Sequence, residues 1–71
     1  YSVVMANALE DQREIVDYLD RRYDEVHHCW LKANNSGARF AAKMYREVMD
    51  EIAEQRFRAM RVLGQLEALS Q

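Results

Sequence analysis

The run His27-His28-Cys29 concentrates the metal-binding chemistry of this chain. Imidazole nitrogens and a thiolate are preferred ligands of zinc and related ions. Consecutive side chains on a helix point about 100° apart, so three adjacent residues do not close on one ion. Ligand pairs on a helix need spacings of three or four, and neither Asp24 nor Lys32 completes a set at that spacing. We therefore expect no metal site, two solvated histidines and a buried, structural Cys29.

Catalytic chemistry has even less support in the sequence. A nucleophile and its base must converge at a concave pocket, and two helices enclose little space. The two glycines, Gly37 and Gly64, are isolated, so no phosphate-binding loop is present. Arg56 lies beside the apolar face, and we expect its stem to be covered while its charge reaches solvent. The sequence predicts neither an enzyme nor a cofactor.

A basic cluster offers a weak alternative function. Arg39, Lys43 and Arg46 recur at steps of four and three, which places them on one side of a helix. Such a cluster is able to contact phosphates. The acidic residues Glu47 and Asp50 follow directly, and this mixture of charges is typical of a solvated helix face. Nucleic-acid binding by a small regulatory helical bundle is therefore the alternative to protein–protein interaction.

Composition indicates one small helical module. The 71 residues include no proline and two glycines, 49% are apolar, and the net charge is −2. With Cys29 alone no internal disulfide forms, so we expect an intracellular protein. No apolar run approaches the ~20 residues that cross a membrane, and we expect no membrane partner. Because the chain begins with Tyr1 rather than methionine, we expect it to be part of a larger protein.

Two long helical segments flank Asn34-Asn35-Ser36-Gly37, a run of residues that favour caps and turns. The pattern predicts a single module over residues 1–71, with helix 1 at about 3–33, a turn at 34–37 and helix 2 at about 37–69. Ser2 or Asn7 would cap the first helix, and Ser36 the second. The expected fold is all-α: an antiparallel, coiled-coil-like hairpin, with one long continuous coiled-coil helix as the alternative.

Apolar residues in each segment recur at alternating steps of three and four, which is a heptad pattern. Pairing residues whose numbers sum to 71 places Leu19 opposite Ile52 and Gln12 opposite Ala59. Gln12 and Gln55 are the only polar residues in the two stripes, and they are able to set the register or to tilt toward solvent. The predicted interface core contains the larger apolar members: Leu9, Val16, Leu19, Tyr23, Val26, Trp30, Tyr45, Val48, Ile52, Val62 and Leu66.

Further apolar residues lie away from these stripes on the second helix. Phe57 and Met60 are not needed for packing within a hairpin, so we expect them to form a second partner surface. A hairpin alone has a modest core, because small bodies are mostly surface. We therefore expect an oligomerisation module that pairs with itself as a homodimer, most simply an antiparallel four-helix bundle, or with a partner protein's helix.

Overall fold

The computed structural model describes residues 2–71 and contains two long helices packed against each other. Helix α1 spans Val3–Asn35 and helix α2 spans Arg39–Leu69, and no strand occurs in the described part of the chain. The body is 53 Å long and 14 Å by 13 Å across. The predicted all-α hairpin is confirmed. Tyr1, which the predicted module included, lies outside the described residues.

Helix α1 begins at the earlier of its two predicted caps. Ser2 has an extended backbone, and its side-chain oxygen accepts a hydrogen bond from the Met5 backbone N–H at 3.1 Å. This bond satisfies one of the four backbone donors that the first turn of a helix leaves without partners. Asn7 consequently lies inside the helix, and α1 gains a full turn that carries Val4 and Met5.

The turn between the helices is a Schellman motif built on Gly37. The Ala38 N–H donates to the Ala33 carbonyl at 2.9 Å, and the Gly37 N–H donates to the Asn34 carbonyl at 3.3 Å. Gly37 has a φ of +76°, the left-handed conformation that residues with a Cβ rarely adopt. The alternative of one continuous helix is therefore wrong, because the chain reverses here. The structure also corrects the role of Ser36.

Ser36 does not cap α2. It is the C-cap of α1, where its backbone N–H donates to the Lys32 carbonyl and its hydroxyl donates to the Ala33 carbonyl at 3.1 Å. The N-cap of α2 is Ala38, which makes no side-chain capping bond, and α2 begins two residues later than predicted. The physical reason is that the Ser36 backbone is still near the right-handed helical conformation, at φ −89° and ψ −2°, so its N–H continues the hydrogen bonds of α1 instead of starting a second helix.

The core between the helices is narrow. Seven apolar residues in the described chain are buried, and none of them is less than 2% exposed. Of the predicted interface core, five residues are buried: Leu9, Val16, Leu19, Val26 and Ile52. Five more are half-buried: Tyr23, Trp30, Tyr45, Val48 and Leu66. Each helix covers only one side of the other, so the hairpin by itself leaves most of its surface in solvent.

Helix α2 is rotated relative to the predicted stripe. Ile52 and Ala59 are buried as the stripe requires, but Met49 and Leu63 pack against the core from one side of it. Val62, on the other side of the stripe, lies outside the core with 43% of its surface exposed. Gln55, seven residues before Val62, is also exposed, whereas Val48, at the same heptad position nearer the turn, still packs against the core. The part of this side that includes Gln55 and Val62 is thus turned away from α1.

Candidate interaction surface

One long edge of the hairpin is joined by two ion pairs between the helices. Asp20 of α1 contacts Arg56 of α2, and Arg13 of α1 lies 3.7 Å from Glu67 of α2. We call the edge defined by these four residues the ion-paired edge. All four side chains are 44–57% exposed, so the pairs are solvated and each contributes less than about 1 kcal/mol to stability. They show which sides of α1 and α2 meet.

The opposite edge is apolar. With 3.6 residues per turn, Ile15 lies about 140° around α1 from Asp20, with the buried residues between them. Val62 lies about 120° around α2 from Arg56, again across the buried residues. Because Asp20 and Arg56 meet on one edge, Ile15 and Val62 share the other.

The apolar edge carries seven large hydrophobic residues that the single chain leaves exposed. Ile15 is 47% exposed, Tyr18 54% and Met44 42%. The full set is Val4, Ile15, Tyr18, Phe40, Met44, Val62 and Leu69. The charged residues Arg22 of α1 and Glu51 of α2 interrupt this row near the middle of the edge. Exposed rows of large hydrophobic residues are nevertheless typical of contact sites. Within residues 2–71, no ion pair joins α1 to α2 along this edge.

The sequence pattern pointed to part of this edge without assigning it a separate role. Ile15 and Met44 flank the two stripes in the sequence and widen the apolar face of each helix beyond a narrow two-stranded stripe. Tyr18 carries no signal of its own. What reveals the edge is the rotation of α2, because a helix that turns Leu63 inward turns Val62 outward. The periodicity of the sequence does not specify that rotation.

The two glutamines of the stripes have different environments. The Gln12 side-chain amide donates to the backbone carbonyl of Ala59 at 2.9 Å, across the hairpin and partly buried. This bond joins two residues that the sum-to-71 pairing placed opposite each other. Gln55 is exposed, and no hydrogen bond of its side chain is found in the described chain. Gln12 therefore ties the two helices together, whereas Gln55 is turned to solvent.

Phe57 and Met60, the predicted second partner surface, are both exposed, at 64% and 42%. Phe57 points away from α1, on the outer face of α2. Met60 lies toward the ion-paired edge. They are thus separated from the apolar edge by the width of α2, and they form a smaller patch than the apolar edge does.

The predicted phosphate contacts Arg39, Lys43 and Arg46 are exposed on the outer side of α2. Arg46 lines a groove of about 150 Å³ with residues of both helices, and Asp50 shares that groove. The acidic side chain therefore lies next to the basic cluster that it also follows in sequence. This placement offers a mixed-charge surface rather than a purely basic one.

The same groove contains an aromatic stack at the turn end of α1. The His27 ring lies 6.4 Å from the Tyr23 ring and 6.0 Å from the Trp30 ring, nearly parallel to the latter. His27 is half-buried by this stacking, in contrast to the predicted solvated residue. His28 is exposed, and its Nδ1 lies 2.8 Å from the Asp24 carbonyl oxygen. These contacts are the structural roles of the two histidines.

Cys29 is exposed, so the prediction that it is buried is wrong. It lies on the side of α1 that carries Ile15, and the rotation of α2 leaves that side uncovered. Across residues 2–71 no group of three or more histidine, cysteine, aspartate or glutamate side chains is placed to hold a metal ion.

The depressions on the surface are open and shallow. One of about 700 Å³ is lined only by residues of α1, among them Ile15 and Tyr18. Another of about 500 Å³ lies between the helices beside the Asp20–Arg56 pair. Small-molecule pockets bury most of the surface of their ligand. A depression formed along a single helix cannot enclose a ligand in that way.

No protein-family model matches the chain, and neither a curated protein nor a solved structure is significantly similar to it. Neither helix, over the described residues, is long and apolar enough to cross a membrane. The geometry of the hairpin is therefore the basis for proposing a function.

Proposed function

We propose that this chain is an oligomerisation module whose apolar edge packs against further helices to complete a four-helix bundle. The observation that carries the proposal is the row of exposed hydrophobic residues along that edge, from Val4 and Leu69 at the open end to Phe40 and Met44 near the turn. A helix in a bundle contacts two neighbours, and each helix of this hairpin has one.

The narrow core supports the proposal. No side chain among the described residues is fully buried, and Val16 and Ile52 remain 7% exposed. Two helices alone bury little apolar surface to set against the conformational entropy lost on folding. A second pair of helices on the apolar edge would cover the core from that side and bury Ile15 and Val62 as well. Coiled-coil-type packing would follow from the heptad spacing of the buried residues.

The mass of the chain in solution tests this function. Sedimentation equilibrium on the purified 71-residue chain, with circular dichroism on the same samples, should show helical species above the monomer mass of 8.4 kDa. Helicity and mass should fall together on dilution, because folding and association are linked by mass action. A helical monomer that keeps its helicity and its thermal stability at every concentration would refute the proposal, since such a hairpin would need nothing on its apolar edge.

A further inference from the structure

We infer that the occupant of the apolar edge is a second copy of this chain, with both turns at the same end of the bundle and α1 of each copy lying on α2 of the other. This inference rests on the proposed function and deepens it by naming the partner, the surface and the arrangement.

The dimensions of the edge suit a dimer. One side of a body 53 Å long and 14 Å wide presents on the order of 700 Å², close to the roughly 800 Å² per partner that a stable interface buries. The edge also runs along both helices, so two copies related by a two-fold axis bring the same surface together.

Two kinds of two-fold arrangement are possible, and they differ in which helices meet. If the axis runs along the hairpin, both turns lie at the same end and α1 lies on the partner's α2. If the axis runs across the hairpin, the turns lie at opposite ends and α1 lies on the partner's α1. Residues at the same level of the hairpin have numbers that sum to about 71, as the Gln12–Ala59 bond shows.

The same-end arrangement matches charges. At the middle of the edge, Arg22 would lie at the level of the partner's Glu51. The Arg22 side chain is 41% exposed, and within residues 2–71 its one ion pair is with Glu25 of its own helix. Opposite charges across an interface fix its register and disfavour other alignments.

The same arrangement also matches apolar residues. Val4 would lie at the level of the partner's Leu69 at the open end, and Cys29 at the level of the partner's Met44 near the turn. All four side chains are exposed in the single chain. Each would be covered by an apolar neighbour, so the exposure of Cys29 would be relieved without any disulfide.

The opposite-end arrangement matches poorly. Its axis would pass near the middle of the hairpin, at the layer of Leu19 and Ile52. Glu51 would then lie within two residues of the partner's Glu51. Like charges placed together across an interface cost free energy.

A matched pair of substitutions tests the surface. Val62 and Met60 have nearly equal exposure, 43% and 42%, but Val62 lies on the apolar edge and Met60 toward the ion-paired edge. We expect Val62→Asp to reduce the mass to that of the monomer and Met60→Asp to leave a dimer. A dimer that survives Val62→Asp and is lost in Met60→Asp would overturn the inferred surface, and with it the packing through the apolar edge on which the proposed function rests.

A distance measurement tests the arrangement and needs no destabilising variant. Nitroxide labels are attached to Asn35→Cys in a Cys29→Ala background, at an exposed position on the last residue of α1. With turns at the same end, the two labels should lie within about 30 Å, since neighbouring helix axes are 8–10 Å apart. With turns at opposite ends they would be separated by about 48 Å, since each label lies roughly 16 residues from mid-helix at 1.5 Å per residue.

The outcomes separate the two levels of the proposal. A dimer with a label distance near 48 Å would overturn the same-end arrangement and leave the proposed function intact. A stable helical monomer with no dipolar coupling between labels would overturn both. A dimer with short label distances that Val62→Asp dissociates would support both.

Discussion

The same chemical change at the two glycines should shift stability in opposite directions. Gly37 has a φ of +76° in the turn, whereas Gly64 lies within α2. A Cβ added at either position meets no atom within 4 Å. Neither substitution therefore changes side-chain packing, and the two sites differ only in their backbone conformation. We expect Gly37→Ala to destabilise the chain and Gly64→Ala to stabilise it.

The magnitudes follow from the backbone conformations. Alanine in the left-handed region costs roughly 1–2 kcal/mol, so Gly37→Ala should lower the free energy of unfolding by about that amount. Alanine replacing glycine in an exposed helix interior gains about 0.8–1.0 kcal/mol, so Gly64→Ala should raise it correspondingly. For a domain of this size, each kcal/mol corresponds to roughly 4–8 °C in the unfolding midpoint.

Thermal and urea unfolding by circular dichroism would measure both variants against the parent chain at one fixed chain concentration, because association changes apparent stability. Gly64→Ala serves as the control, since it reports the ordinary effect of removing a helical glycine. If Gly37→Ala stabilised the chain as much as Gly64→Ala does, residue 37 would be helical. The Schellman turn would then be absent, and the hairpin with it.

Three further predictions concern the core, the cap and the polar contact. Gln12→Ala should lower the free energy of unfolding by about 1 kcal/mol in urea, because it removes a partly buried hydrogen bond, whereas Gln55→Ala at its exposed position should change it by less than about 0.5 kcal/mol. Equal effects would contradict the different roles assigned to the two residues. Ile52→Asp should abolish helicity in circular dichroism and reduce the mass to the monomer value, since it buries an unpaired charge, and a variant that stayed helical would place Ile52 outside the core. Ser2→Ala should cost about 0.5–2 kcal/mol in urea unfolding through loss of the cap, and no measurable change would mean that the first turn of α1 is already frayed.

The sum-to-71 pairing shows how far periodicity leads. It placed Gln12 opposite Ala59, and a hydrogen bond joins these residues. It also placed Val62 and Gln55 between the helices, where the structure has neither. Heptad spacing predicts how far along the hairpin each residue lies. It does not fix the rotation of α2 about its own axis, because an apolar stripe wide enough to include Leu63 is compatible with several rotations.

Local chemistry along the chain is sufficient for the helices and the turn. Apolar spacing, the lack of proline, a serine at the start and a glycine in the middle act over a few residues, and each is visible in the sequence. Which edge of the hairpin stays uncovered is not determined by such local signals. It depends on how α2 is rotated against α1, which is set by the simultaneous packing of Met49 and Leu63 against the core and by the Asp20–Arg56 contact across it. The Asp20–Arg56 contact joins residues 36 positions apart, and the packing of α2 on α1 is likewise a contact between distant parts of the chain, so only the tertiary structure decides which hydrophobic residues remain for a partner.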